Sequence, residues 1–391
     1  MLKIIDQIDI REKRVFIRTD YNVSMKDGKI ADDLRIRASL PTLQYAIDAK
    51  AKIIIGSHLG RPKGVRDEKY SLLPVAERLS ELLGRDVIFP EDCIGDAVKK
   101  LASELRDGDV LLLENLRFHP EEEANEPFFS EKLAAFAEIY INDSFGTVHR
   151  AHASTAGMVS HFKEKGMGFL MQKELAALDG LFHAKKPFLA ILGGAKVSDK
   201  IGVIENMMNH VDGFLIGGAM AYTFLKALGK KIGQSVVEEG KVHQAEKILK
   251  RAEVKGIEIL LPPDSVIAFE PFEGTPFRIA TNGEDWGNWM GLDIGPKTLD
   301  LFSERIMKAA TIFWNGPMGM FEIPPFNRGT VEIANRVAQS GAFSIAGGGD
   351  SLAAIRQAGF GEKFSHLSTG GGASMEFLQG KTLAGLKALE S

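Results

Sequence analysis

Five arginines stand beside short apolar runs in the first half of the chain, within Arg18-Thr19-Asp20-Tyr21-Asn22, Asp33-Leu34-Arg35, Ser57-His58-Leu59-Gly60-Arg61-Pro62, Glu114-Asn115-Leu116-Arg117-Phe118 and His149-Arg150-Ala151-His152. Guanidinium stays charged and grips phosphate or carboxylate oxygens through paired hydrogen bonds, so the set predicts a cleft for a small, highly anionic molecule. A surface salt bridge is the commoner fate of any single arginine; the repeated placement argues for a shared ligand. His149 and His152 have the spacing of a metal pair, but no cysteine or HExxH pattern completes a site. Phosphate binding or packing is the expectation for them.

The second half carries glycines where the first carries arginines: Gly193-Gly194-Ala195-Lys196-Val197-Ser198-Asp199-Lys200, Gly217-Gly218-Ala219-Met220, Gly347-Gly348-Gly349-Asp350-Ser351 and Gly370-Gly371-Gly372-Ala373-Ser374. Glycine lets backbone amides come close to an anion, and a helix that follows adds the field of its N-terminus. These loops predict nucleotide phosphates. None is a Walker A sequence and none completes GxGxxG, and a lone glycine pair is most often a turn or cap. Lys196 and Lys200, four apart, share a face if a helix begins at the glycines. Lys196 is the better placed to reach a phosphate, with solvation the default for Lys200. Asp350 has the chemistry to hold magnesium on a nucleotide or to cap a helix.

Val15-Phe16-Ile17, Ile53-Ile54-Ile55, Val87-Ile88-Phe89, Val110-Leu111-Leu112-Leu113 and Ile139-Tyr140-Ile141 read as buried strands, with helices over Leu72 to Leu83 and Ala97 to Leu105. The rhythm restarts at Phe188-Leu189-Ala190-Ile191-Leu192, Gly213-Phe214-Leu215-Ile216, Ile257-Glu258-Ile259-Leu260, Thr311-Ile312-Phe313-Trp314 and Phe343-Ser344-Ile345-Ala346. Strands alternating with helices predict an α/β fold of two Rossmann-like lobes with mostly parallel sheets, where ligands sit beyond the strands' carboxyl ends. Between the sets, Met167 to Leu178 predicts an interdomain helix with Met171, Leu175 and Leu178 on its apolar face and Gly180 as its stop. The expected domains are 1–170 and 171–391.

A length of 391 residues favours two domains, and a hydrophobic fraction of 45% is ordinary for a globular protein. With 48 basic and 52 acidic residues the net charge is -4, which gives no global field for nucleic acid or an anionic membrane. Cys93 is the only cysteine, so no internal disulfide framework exists. Charges interrupt the N-terminal apolar stretch, and no uncharged run reaches spanning length. A cytoplasmic location is expected.

The chain resembles the phosphoglycerate kinases. The likeness runs from Arg18-Thr19-Asp20-Tyr21-Asn22-Val23 to Gly370-Gly371-Gly372-Ala373-Ser374 and includes Ser57-His58-Leu59-Gly60-Arg61-Pro62, Gly193-Gly194-Ala195-Lys196-Val197 and Trp314-Asn315-Gly316-Pro317-Met318-Gly319. The resemblance implies 3-phosphoglycerate and 1,3-bisphosphoglycerate as substrates, ADP and ATP as co-substrates, Mg2+, a monomer without an obligate protein partner, and a C-terminus returning to the first lobe. It places the glycerate ligand near Asp20, Asn22, Arg35, His58, Arg61, Arg117 and Arg150. Gly194, Lys196, Lys200, Gly217, Asn315, Glu322, Gly347, Gly348, Gly349, Asp350 and Ser351 fall on the nucleotide side, with Glu322 on the ribose and Asp350 at the metal. Arg35, Lys196, Gly348 and Gly371 are the residues expected around the transferring group. Ser24 replaces a proline common in the family, and Thr281 to Trp289 looks like an insertion; both are expected to alter loops rather than chemistry.

An ionised ADP oxygen attacking an acyl phosphate needs no base, which fits the lack of a nucleophile-base pair. The transition state needs alignment and neutralisation of charge on three phosphoryl oxygens. Direct in-line transfer without a phosphoenzyme is the expectation, with the lobes closing once both ligands are bound. A dinucleotide-dependent hydride transferase would need the missing glycine fingerprint. A polyanion-binding module fits poorly with the near-neutral charge.

Overall fold

The central strands of the two parallel sheets have no polar face, because they are covered on both sides. In the computed structural model, which describes residues 2–391, the first parallel sheet contains β1 (Arg14–Thr19), β4 (Lys52–Gly56), β5 (Val87–Ile88), β6 (Val110–Leu112), β7 (Ile139–Asp143) and β8 (Glu164–Met167) in the order β5-β6-β4-β1-β7-β8. A hairpin of β2 (Ser24–Lys26) and β3 (Lys29–Asp32) stands apart from it, so Ser24 opens a strand. Side chains alternate across the sheet: Val15, Ile17, Ile53 and Ile55 enter one core, while Phe16, Ile54, Leu111 and Tyr140 enter the other.

The second parallel sheet contains β9 (Phe188–Leu192), β10 (Gly213–Ile216), β11 (Glu258–Leu260), β15 (Thr311–Asn315), β16 (Phe343–Gly347) and β17 (His366–Ser368), ordered β11-β10-β9-β15-β16-β17. Both sheets belong to Rossmann-like α/β units. An antiparallel sheet ordered β13-β12-β14 is added by β12 (Asp264–Ala268), β13 (Phe277–Thr281) and β14 (Met290–Ile294). The stretch from Thr281 to Trp289 links β13 to β14 and is pinned by Trp286, which is buried, edge-on to Tyr222, and donates from Nε1 to the Thr281 carbonyl at 3.0 Å.

The chain divides into unit 1, which runs to Ala176 and also includes Thr382–Ser391, and unit 2, Ala177–Lys381. The division falls inside the helix Phe169–Gly180, after Ala176. The α-helix ends at Gly180, and a 3-10 turn, Leu181–His183, follows directly. Its buried positions are Met171, Glu174 and Leu178, with Leu175 only half-buried. No helix among the described residues is long and apolar enough to cross a membrane.

Asp143, the last residue of β7, reaches the start of this helix and accepts a hydrogen bond from Met171 N at 3.1 Å. Burial pushes its carboxyl up to about 7. The folded chain therefore holds this proton more tightly than the unfolded chain, and stability present below the ordinary carboxyl range near pH 3.9 is lost as pH rises toward about 7. Asp143→Asn, which keeps an acceptor for Met171, is expected to flatten that fall. Urea midpoints between about pH 4 and 7.5 check it, and an unchanged slope would assign the pH dependence to other groups.

Candidate active site

Parallel pairing brings the carboxyl ends of the central strands level, with Arg18 of β1 opposite Gly56 of β4 on one side and Asn142 of β7 on the other. The polar residues that follow these strands therefore converge. Arg35 donates from one Nη to both carboxylate oxygens of Asp20, at 3.1 and 3.0 Å, and to the Asn22 carbonyl at 3.1 Å. The Asn22 side chain accepts from Gly60 N at 2.8 Å, and Arg117 donates to the Gly60 carbonyl at 2.9 Å. His58 is buried, with Nδ1 at 4.0 Å from Asp20 Oδ1 and 3.4 Å from an Nη of Arg18.

Positive charge dominates this cluster. Burial, then the charges of Arg18, Arg117, Arg35 and Arg150, hold the His58 ring well below its ordinary range. The same kind of surroundings pull His152 down to about 3, and burial lowers Arg117 to about 10. Both rings are neutral at physiological pH and add no charge of their own. Arg117 Nη2 is buried and meets no hydrogen-bond acceptor among the described residues, although its Nε lies 3.4 Å from Glu123. Arg150 is half-buried and donates to His149 at 3.3 Å, whereas Arg61 is exposed and makes none of these contacts.

Arg18, one of the five arginines read as an anion cleft, is absent from the glycerate positions that the family resemblance gives. It is fully buried and donates from Nε to Ser154 Oγ at 2.7 Å and from an Nη to the Thr19 carbonyl. Ser154 in turn donates to Glu122 from its hydroxyl at 2.5 Å and from its backbone N at 2.9 Å. Burial pushes the Glu122 carboxyl above its usual range, while Arg18 and the Ser154 donors pull it back.

In unit 2 the glycine loops converge on Asn315, the last residue of β15, which lies opposite Leu192 of β9 and Gly347 of β16. Asn315 donates to the Gly347 carbonyl at 2.8 Å and accepts from Lys200 Nζ. Ser351 Oγ accepts from Gly316 N at 2.6 Å. Gly348 has φ +94°, a left-handed conformation that favours glycine, and precedes the helix Gly349–Gln357. Gly316, at φ +100°, must also be glycine because a Cβ there would run into the Gly193 carbonyl.

A cavity of about 280 Å³ is lined by Gly194, Lys196, Lys200, Asn315, Gly348, Gly349, Asp350 and Ser351, among others. A second, of about 260 Å³, has a more apolar wall that includes Tyr222, Val236 and Met318, shares Gly194 and Asp350 with the first, and carries Glu322. Lys196 is exposed and makes no ion pair among the described residues, while burial lowers the pKa of Lys200. Gly217 lines neither cavity and lies against Met318. Gly347 contributes only its carbonyl to Asn315, and Gly371 caps the short helix Gly372–Leu378 outside both linings.

His149 and His152 are not part of a metal-type grouping of three or more side chains; among the described residues that grouping is Asp92, Cys93 and His119, which come within 4.8 Å of one another. Asp92 accepts from His119 at 2.7 Å and Cys93 is sealed in the core, so an ion pair and packing account for them.

Two α/β units, one with cationic strand ends and the other with glycine-rich strand ends, define a phosphotransferase. Residues 5–381 match the family Phosphoglycerate kinase. Curated relatives include the phosphoglycerate kinases of Anaeromyxobacter dehalogenans strain 2CP-C, 56% identical over 100% of this chain and 99% of that protein, and of Dictyoglomus turgidum, 54% identical over 98% and 96%. The solved phosphoglycerate kinase of Coxiella burnetii superposes with a TM-score of 0.90 at 38% identity, covering 100% of this chain and 99% of that one. That of Pyrococcus horikoshii gives 0.86 at 36%, covering 100% and 98%. The chain belongs to the phosphoglycerate kinase family. It transfers a phosphoryl group reversibly from 1,3-bisphosphoglycerate to ADP, giving 3-phosphoglycerate and ATP.

Proposed function

We propose that unit 1 holds the triose acid and unit 2 the nucleotide, with Arg35 and Lys196 acting on the transferring group. The observation that carries this is the buried Arg117 Nη2, which meets no acceptor within a cluster already crowded with Arg18, Arg35 and Arg150. A phosphate or carboxylate oxygen completes its hydrogen bonding and offsets the mutual repulsion. Asp20, Asn22, His58, Arg61 and Arg150 complete this reading of the glycerate side, with His58 as a neutral donor or acceptor.

On the nucleotide side the cavity bearing Lys196 and Lys200 takes the phosphates, and the neighbouring apolar cavity takes the base, with Glu322 at the ribose. Asp350 fits Mg2+: it is an exposed hard oxygen donor on the wall of both cavities, and a nucleotide's phosphates and water supply the remaining ligands. Bound there, magnesium neutralises phosphate charge. Gly348 and Gly349 present backbone N-H groups at the helix start. Gly371 belongs to the same reading as an amide donor. Direct transfer asks the two ligands to meet at about 3 to 3.5 Å, so the reading includes closure of the loaded units.

Arg117→Lys tests the assignment while keeping the charge, because an ammonium does not reproduce the guanidinium fork. The KM for 3-phosphoglycerate is expected to rise on the order of tenfold, the loss of one charge-assisted hydrogen bond, with the KM for ATP moving less than about twofold. Equal movement of both constants, or of neither, would remove the arginine cluster from the glycerate site.

A further inference from the structure

The buried residues behind the cluster are arranged in an order that packing alone does not require. Arg18 lies wholly inside unit 1 and makes no direct ion pair among the described residues. Glu122, also wholly buried, is linked to it through the Ser154 hydroxyl, with 2.7 Å from Arg18 Nε to Ser154 Oγ and 2.5 Å from there to Glu122 Oε1. A carboxylate only accepts, and a serine hydroxyl has one proton, so Ser154 gives that proton to Glu122 and turns a lone pair toward Arg18. The Ser154 backbone N donates to Glu122 Oε2 at 2.9 Å, and the Ser154 carbonyl accepts from Tyr140 Oη at 2.9 Å, which fixes the main chain that carries the hydroxyl.

We propose that Glu122 and Ser154 form a positioning relay that holds Arg18 by its Nε, so that one terminal nitrogen settles on the Thr19 carbonyl and the other is turned to His58 in the glycerate cluster. The inference rests on the assignment of that cluster to the triose acid. A direct carboxylate contact would draw the guanidinium into a two-pronged pair and turn the terminal nitrogens away. With the hydroxyl interposed, one Nη meets the Thr19 carbonyl and the other stands 3.4 Å from His58 Nδ1. Glu122 supplies the compensating charge at one remove. It holds the same loop by its backbone too, since its carbonyl accepts from Ala153 N at 2.9 Å. The next residue, Glu123, pairs with Arg117 Nε at 3.4 Å, so adjacent residues of the short helix Pro120–Ala124 serve two arginines of the cluster.

Glu122→Gln removes the charge but keeps the shape, and Ser154→Ala removes the link. Each is expected to raise the KM for 3-phosphoglycerate about fivefold to tenfold while the KM for ATP and the turnover at saturation stay within about twofold. Because both act through one chain, the double variant is expected to lose no more than the worse single. A merely structural role would lower the melting temperature without separating the substrates. Additive losses, equal effects on both substrates, or unchanged KM in folded variants would overturn the relay, as would failure of both single variants to fold. If only Glu122→Gln fails to fold, Ser154→Ala decides the question. Arg117→Lys is measured alongside: if it leaves the 3-phosphoglycerate KM unchanged, the site assignment falls, whereas if it alone raises that KM, only the relay falls.

Discussion

Lys196→Met is expected to lower turnover on the order of 10²-fold or more while the protein folds normally and binds nucleotide with a much smaller loss. The fold is safe because Lys196 is exposed and has no ion-pair partner to abandon among the described residues. Its charge is free to meet charge that develops during transfer, in a wall it shares with Asn315, Gly348 and Asp350. Lys200 differs: it is held by Asn315, and burial already weakens its hold on a proton. Turnover at saturating substrates, together with ATP binding by titration calorimetry, checks the split. Unchanged turnover in a folded variant would take Lys196 out of the transfer step.

Arg35→Met should cost turnover about 10² to 10³-fold, the range seen when one preorganised donor to a developing oxyanion is removed. Arg35 earns its place by being held before any ligand arrives: Asp20 takes one of its terminal nitrogens through both oxygens, and the Asn22 carbonyl takes the same nitrogen. The other donors of the fork stay available, and the side chain is about one-third exposed. Arg35→Lys restores charge without the fork and is expected to recover little of the loss. Single-turnover transfer rates distinguish this from weaker binding, since a defect cured by more 3-phosphoglycerate would place Arg35 in binding only.

The sheets were legible because their strands are covered on both faces and so spell continuous apolar runs. The two strands of the parallel sheets that escaped notice spell none: Glu164–Met167 is an edge strand with two charges, and His366–Ser368 is three residues with polar ends. On the site side, the split between arginines and glycine loops could be read because both kinds of residue must follow strand ends. Glu122 could not. In the run Glu121-Glu122-Glu123 three identical residues read as one solvated face, and only tertiary packing selects the middle one for complete burial. Arg18 was visible as an arginine, but the choice between a ligand contact and a structural anchor depends on Ser154, which is 136 residues away. A glycine pair after a strand, such as Gly217-Gly218, reads the same whether its first member faces a cavity or Met318.

The membership of Thr382–Ser391 in unit 1 makes unit 2 an uninterrupted insert within a discontinuous host. Leu389, in the final helix Ala384–Glu390, joins the core of Phe16, Leu111 and Tyr140, and Gly385 N donates to the Val148 carbonyl at 2.8 Å. A ribosome delivering this chain has released nearly all of unit 1 long before it releases the segment that completes that core. Unit 2, by contrast, has every residue it needs once Lys381 emerges. The half made first is therefore the half finished last, and a nascent chain truncated a few residues early would carry a complete insert beside a host core with a gap.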